Sequence, residues 1–227
     1  MNDAGNWCER VLNYQFSNTD LLTRALTHRS ASADHNERLE FLGDAVLDLV
    51  VSHELYDAKP TVREGGLSRY RAELVRKESL AGLAGRIDLA PHIILGSGEQ
   101  RSGARQHDSL LANTLEAIFG AILLDGGFDV ASRVILALYR DRLANLPEEE
   151  ELKDAKTRLQ EHLQARGLPP PAYDLLGVSG PAHAQVFNIA CRIAAQGIEA
   201  TAEGSSRRRA EQAAAARALE KYIRDHG

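Results

Sequence analysis

Asn36-Glu37-Arg38-Leu39-Glu40-Phe41-Leu42-Gly43-Asp44-Ala45-Val46-Leu47-Asp48 is the stretch on which both the fold and the chemistry turn. Asn36 is a residue type suited to cap the helix that follows. At about 100° per residue from Glu37, Glu40 falls at about −60°, Asp44 at about −20° and Asp48 at about +20°, so four acids share one face. Leu39, Leu42, Val46, Leu49 and Val50 gather between about 120° and 220°, which makes the opposite side an apolar, core-facing stripe. Like charges at these spacings repel by roughly a few tenths of a kcal/mol per pair. A merely solvated face would intersperse Lys or Arg, and here only Arg38 stands at the edge. Gly43 costs about 1 kcal/mol against Ala in mid-helix, which predicts that something approaches the backbone closely there.

A second stretch, Ser109-Leu110-Leu111-Ala112-Asn113-Thr114-Leu115-Glu116-Ala117-Ile118-Phe119-Gly120, repeats the pattern. Asn113 and Glu116 lie one turn apart, while Leu111, Leu115, Ile118 and Ile122 form the opposite, buried face. Two helices could thus converge oxygen ligands. Carboxylate and amide oxygens without Cys or His suit a hard cation, and a partly hydrated Mg²⁺ suits phosphoryl chemistry. On periodicity alone each helix also reads as a solvent-facing polar side, and both readings stand at this point.

Around these helices lie 227 residues, 44% hydrophobic and 26% charged, which exclude a disordered or collagen-like chain. No apolar stretch approaches the roughly 18 residues of a membrane span, and the first residues lack the pattern of a secretory signal, so a cytoplasmic protein is expected. Cys8 and Cys191 stand far apart with no Cys/His cluster, which argues against a disulfide framework or a thiolate metal site. No Ser/His/Asp or Cys/His pairing stands at motif spacing, and His28, His35, His53, His92 and His107 read as surface or satisfied histidines. Direct metal-assisted hydrolysis is therefore preferred to a covalent intermediate.

The net charge of −5 divides unevenly. Residues 1–153 carry −7 and residues 154–227 carry +2. An acidic total does not exclude a polyanion, because carboxylates that collect divalent cations cease to repel it once metal is bound. The sharpest change in composition is Leu146-Pro147-Glu148-Glu149-Glu150-Glu151, read as a linker. Residues 1–146 form the first domain, 147–153 the acidic linker and 154–227 the second domain. In the first, residues 21–26, 37–56, 67–84, 109–124 and 130–143 all show helical spacing. In the second, 155–165 is helical, Phe187, Ile189, Cys191 and Ile193 alternate with polar or small residues as a strand, and 172–176 and 198–203 are weaker strands. Residues 206–223 form an alanine-rich helix. The expected architecture is multidomain α and α+β: an all-helical domain, then a small α-β-β-β-α domain.

Ser205-Ser206-Arg207-Arg208-Arg209 opens that last helix with three guanidinium groups beside a free helix N-terminus. Backbone N–H groups, the helix dipole and Arg together favour phosphate, although an Arg run alone also reads as a solubilising face.

The segment 36–47 resembles the signature of the ribonuclease III family. Further matches follow in order: Glu64-Gly65-Gly66-Leu67 with Arg71, Leu74 and Val75, then Leu95-Gly96-Ser97-Gly98-Glu99, then Leu110-Leu111-Ala112-Asn113 with Glu116-Ala117. The second domain resembles the double-stranded-RNA-binding domain, with Gly180-Pro181-Ala182-His183 before the alternating strand and Arg207 and Arg208 where lysines are common. The resemblance covers nearly the whole chain. It implies a nuclease domain at 1–146 whose metal-binding catalytic acids are Glu40, Asp44 and Glu116, with Glu37 a further acid of the site. Asn113 would be a metal ligand that departs from the family's usual Asp and supplies no charge. Mg²⁺ is the implied cofactor, with Mn²⁺ able to substitute. Thr157, Gln160 and Glu161 become minor-groove contacts, His183 a second such contact, and Arg207, Arg208 and Arg209 a phosphate clamp. The absence of an exposed aromatic platform argues against single-strand stacking recognition.

The resemblance further implies a homodimer with Phe41, at about +40°, at the interface. Two centres would cut double-stranded RNA in a staggered manner, leaving 5′-phosphate and 3′-hydroxyl ends, in ribosomal and messenger RNA processing, with no organic cofactor and no membrane. Two other readings remain: a duplex-RNA-binding regulator impaired at Asn113, and a carboxylate-rich metalloenzyme acting on a small phosphate ester. The second basic module disfavours the last.

Overall fold

The periodic stretches of the first unit wind into helices around one apolar axis. In the computed structural model, which describes residues 3–101 and 103–226, the chain divides into Met1–Leu146 and Pro147–Gly227. The first unit runs α1 (Asp3–Leu12), α2 (Thr19–Leu26), α3 (Glu37–Ala58), α4 (Glu64–Val75), α5 (Lys77–Arg86), α6 (Ser97–Arg101), α7 (Asp108–Gly126) and α8 (Phe128–Ala144). α7 is the axis, packed by α2, α3, α5 and α8 and buried on most sides from Leu110 to Ile122.

That helix corrects one expectation. With 19 residues it is long and apolar enough, by length and composition, to cross a membrane. The isolated polar positions Asn113 and Glu116 make it look shorter in a sequence scan, and its apolar surface is used inside the unit. The periodic run 67–84 is likewise two helices, α4 and α5, broken at Arg76, whose ψ of 152° is extended. The break is hidden in the sequence because apolar residues continue on both sides of Arg76. α1 was not anticipated; Trp7, Cys8 and Leu12 bury its inner face, and Trp7 Nε1 donates to the Ile87 carbonyl at 2.8 Å. Leu49, assigned to the core-facing stripe of α3, is exposed because at about 120° it sits on the stripe's margin.

α3 and α7 meet at glycine. A Cβ on Gly43 would lie 1.7 Å from the Glu116 carbonyl oxygen, and one on Gly120 would lie 2.1 Å from that of Leu39. Each glycine admits the other helix's backbone, which is the close approach expected at Gly43.

The second unit runs α9 (Glu149–Leu152), α10 (Ala155–Gln164), β1 (Ala172–Ser179), β2 (Val186–Ile193), β3 (Ile198–Gly204) and α11 (Arg207–His226). The acidic run read as linker thus contains a short helix and belongs to this unit, where Lys153 pairs with Glu150 at 2.9 Å and Glu161 at 2.5 Å. The sheet is antiparallel in the order β1-β2-β3, with a register shift between Leu175 and Gly177. Leu159 and Leu163 of α10 and the alanine face of α11 close over Ile189, Cys191 and Ile193. The small side chains of Ala210, Ala214 and Ala218 let α11 lie close to the strands.

Candidate active site and nucleic-acid interface

Because the glycine crossing fixes α3 against α7, the polar faces of both helices are brought to one place. Asn113 of α7 hydrogen-bonds the side chain of Glu40 on α3. A carboxylate accepts, so the Asn113 amide N–H donates, which orients the amide. Glu116 lies within the fields of Asp44, Glu40 and Asp48. Its carboxyl is pushed up to about 8, first by burial and then by those three acids. Glu40 is also raised, by burial first and then by Glu37 and Asp44, against the lowering effect of Asn113. Asp48 is raised by burial and by Asp44, with Arg71 opposing.

The sequence-derived acids are therefore gathered: Glu37 and Glu40 flank one cleft, and Asp44 and Glu116 couple to Glu40 by charge. They do not form a closed cage. Among the described residues no group of three or more His, Cys, Asp or Glu stands at metal-ligating separations. The chemistry of the set nevertheless fits a hard, largely hydrated dication: every donor is oxygen, and Glu116 is buried among like charges that a cation would offset. Asn36, expected to cap α3, occupies the cap position with no side-chain cap bond; its side chain is buried and lines the cleft instead.

Several site neighbours escaped the sequence reading. The cleft, with a volume of about 830 Å³, is also walled by His28, Arg29, Ser30, Glu99 and His107. Arg29 Nη1 stands 3.3 Å from Glu37 Oε1. His28, Arg29 and Ser30 lie in the turn before α3, Glu99 on the short α6 and His107 at the start of α7, so no single helical period links them to the acids. Asp48 was seen on the acidic face but not placed in the site, where its charge helps to raise the Glu116 carboxyl.

Phe41 is 79% exposed, and Tyr56 on the same helix is 72% exposed.

In the second unit, the first turns of α10 and α11 adjoin. Lys156 Nζ pairs with Glu211 at 2.8 Å, and its backbone N–H donates to Gln212 Oε1 at 3.1 Å. The Asp154 carboxylate caps α10 by accepting from Thr157 N–H at 2.9 Å, and it is held low by that bond, by Gln212 and by Arg208 in spite of burial. Thr157 and the arginine run are thereby brought to adjoining helix ends. Gln160 and Glu161 are exposed one turn on, Glu161 being tied to Lys153. Arg207 bonds Glu211 at 3.0 Å and Arg209 bonds Ser205 Oγ at 3.0 Å, leaving both guanidinium groups exposed with donors to spare. His183 is exposed in the turn between β1 and β2, next to the Ala184 N–H to Pro181 carbonyl bond of 2.8 Å.

Comparison with known proteins agrees with both halves. Residues 18–143 match the family model described as Ribonuclease-III-like, and residues 155–222 match the double-stranded RNA binding motif. The chain is 51% identical to Ribonuclease 3 of Alkalilimnicola ehrlichii over 95% of this chain and 94% of that protein. It is 47% identical to Ribonuclease 3 of Vibrio atlanticus over 97% and 98%. The nuclease domain of ribonuclease III from Campylobacter jejuni superposes with a TM-score of 0.61 at 40% identity, covering 65% of this chain and all of that one. A second structure of that Campylobacter domain, described for flexibility in its dimer-forming region, gives 0.60 at 41% identity, covering 61% and 98%. With a glycine-locked pair of acidic helices, a separate sheet-and-helix unit and relatives matched along nearly their whole length, this chain belongs to the ribonuclease III family.

Proposed function

We infer that this protein hydrolyses phosphodiester bonds of double-stranded RNA in a Mg²⁺-dependent manner at the junction of α3 and α7. It is an endoribonuclease by family, and its second unit is a double-stranded-RNA-binding domain. The observation that supports the site assignment is that, across the glycine crossing, Asn113 bonds Glu40 while Glu116 lies in the fields of Asp44 and Glu40. In this reading the first domain is 1–146, the acidic segment 147–153 joins it to the second, and 154–227 binds RNA.

Glu40, Asp44 and Glu116 would hold the ion, with the Asn113 oxygen a neutral fourth donor; Mn²⁺ meets the same donor chemistry. When bound, the ion supplies positive charge to the phosphoryl oxygens and makes water a stronger acid. Burial and the neighbouring acids push the Glu116 carboxyl up to about 8, a shift that bound positive charge would oppose. Asn113 orients Glu40 through its amide N–H. Glu37 adds negative charge at the cleft's edge, tempered by Arg29.

Duplex RNA would be held through its shape. Thr157, Gln160, Glu161 and His183 supply polar contacts to 2′-hydroxyls, and Arg207, Arg208 and Arg209 contact phosphates. A homodimer with Phe41 in its interface would present two centres to one duplex. That arrangement yields staggered cuts with 5′-phosphate and 3′-hydroxyl ends, suited to ribosomal and messenger RNA precursors in the cytoplasm. Incubation of a long duplex RNA with and without Mg²⁺ is the direct test. Staggered, Mg²⁺-dependent cutting is expected; binding without cutting would instead favour a duplex-RNA-binding regulator with an inert centre.

A further inference from the structure

The turn before α3 is built more tightly than a surface loop requires. Thr27 and Ile94 form an isolated parallel bridge, in which His28 N–H donates to the Ile94 carbonyl at 3.0 Å and Ile94 N–H to that of Leu26 at 2.8 Å. Gly96 lies so close that a Cβ there would stand 2.3 Å from the Ser30 carbonyl oxygen. Gly96 N–H donates to Ser30 Oγ at 3.0 Å, Ser30 Oγ lies 2.8 Å from His28 Nδ1, and Ser30 N–H points at the same nitrogen at 3.2 Å.

These bonds have one consistent polarity. Nδ1 receives the Ser30 amide proton, so it carries none of its own, and the Ser30 hydroxyl, already an acceptor from Gly96, donates to it. The neutral imidazole then bears its hydrogen on Nε2. His28 and Arg29 both wall the cleft that Glu37, Glu40 and Asn113 share. Arg29 is 71% exposed, and its long contact with Glu37 uses a single Nη. A guanidinium with donors to spare beside an oriented ring N–H is suited to the non-bridging oxygens of a phosphodiester.

We propose that His28 Nε2–H and the Arg29 guanidinium form a phosphate-binding shelf that seats the RNA strand beside the acids, with Ser30 and Gly96 fixing the ring's tautomer. The shelf is a positioning and binding element; no proton is transferred at it. It deepens the cleavage reading above and rests on it.

The test compares full-length His28→Asn, His28→Gln, Arg29→Met and Arg29→Lys proteins in duplex-RNA cleavage at saturating Mg²⁺ across a range of salt. Asn retains an acceptor near the Nδ1 position but offers no donor at the Nε2 position, whereas Gln reaches it. His28→Asn and Arg29→Met are expected to raise KM about tenfold with kcat kept within about twofold, the loss typical of one charge-assisted hydrogen bond. Arg29→Met should also reduce the slope of log KM against log salt by about 0.9, one phosphate contact. His28→Gln and Arg29→Lys should recover most of the loss. Because the Arg29 side chain is largely in water, Arg29→Met folds whether or not His28→Asn does. An unchanged KM and salt slope in Arg29→Met would overturn the shelf, as would a fall in kcat at constant KM. If the wild-type protein fails to cut duplex RNA, the cleavage reading itself falls, and the shelf with it.

Discussion

Glu116 and Asn113 show how much one side chain decides in this site. The Glu116 carboxyl sits at about 8 in the folded chain against an ordinary 4.5. Between those values the metal-free folded state binds a proton that the unfolded state does not. Its contribution to stability is thus fully present below about 4.5 and is lost as pH rises through about 8. Thermal melts of metal-free protein should show Tm falling over that window, and Glu116→Gln should flatten the fall; a parallel curve for the variant would contradict the burial of this acid among like charges. The Mg²⁺ concentration for half-maximal cleavage should decrease as pH rises and level off above about 8, because the cation no longer displaces a proton. At Asn113 the amide donates to Glu40, a bond that an Asp carboxylate could not supply. Asn113→Asp exchanges a donor for a further acid. It should lower the Mg²⁺ requirement for cleavage and also lower the Tm of the metal-free protein, read by titration and by melting. An unchanged or raised requirement would remove Asn113 from the ligand set. That the acids share helix faces was readable from spacing, since a helical period states which side chains share a face, while their assignment to a metal site rested on the resemblance. His28, Arg29 and Ser30 were not readable, because a turn has no period and their nearness to Glu40 depends on a bridge to Ile94 far along the chain.

The crossing of α3 and α7 is the element on which the site depends. Gly43→Ala would drive a methyl into the Glu116 carbonyl, and the helices would have to separate. A loss of about 1–3 kcal/mol is expected from overpacking in chemical denaturation. Cleavage should fall by about a hundredfold, since small misplacement of reacting groups is costly. Gly120→Ala should behave alike, and wild-type stability and rate in either variant would refute the locked crossing. On the outer side of α3, Phe41→Ala should raise the dimer dissociation constant on the order of thirtyfold, the loss of about 2 kcal/mol at a buried anchor. Sedimentation showing an unaltered dimer would place the interface elsewhere. Gly43 announced a close approach by being a poor helix former in mid-helix, yet its partner Gly120 could be identified only once the two helices were seen packed. The break between α4 and α5 was hidden for the opposite reason: apolar residues continue on both sides of Arg76, although α4 packs on α3 and α5 on α7.

At the scale of the whole molecule, the acids of α3 and α7 and the arginine run of α11 are kept in separate units. Replacing Arg207 and Arg208 together by Ala should weaken duplex binding for all sequences alike. The slope of log affinity against log salt should shrink by about 1.8, or about 0.9 per phosphate released, measured by filter binding without divalent cation. A slope equal to wild type would show that these side chains only solubilise the helix. The division itself was legible from composition, because the change of hydrophobic period and of charge sign coincide near the acidic run. What lies in that run was not, since four consecutive acids look like a solvated tether until Lys153 is seen pairing with Glu150 and Glu161. Residue order alone determined most of the helices, the three strands, the acidic faces and the basic helix start, all of which follow from short-range periodicity and charge. Only packing decided that Glu116 is buried among like charges, that Asn113 donates to Glu40, and that the turn at His28 closes the cleft. Those outcomes arise from contacts between residues distant in the chain, whose energies no local pattern encodes.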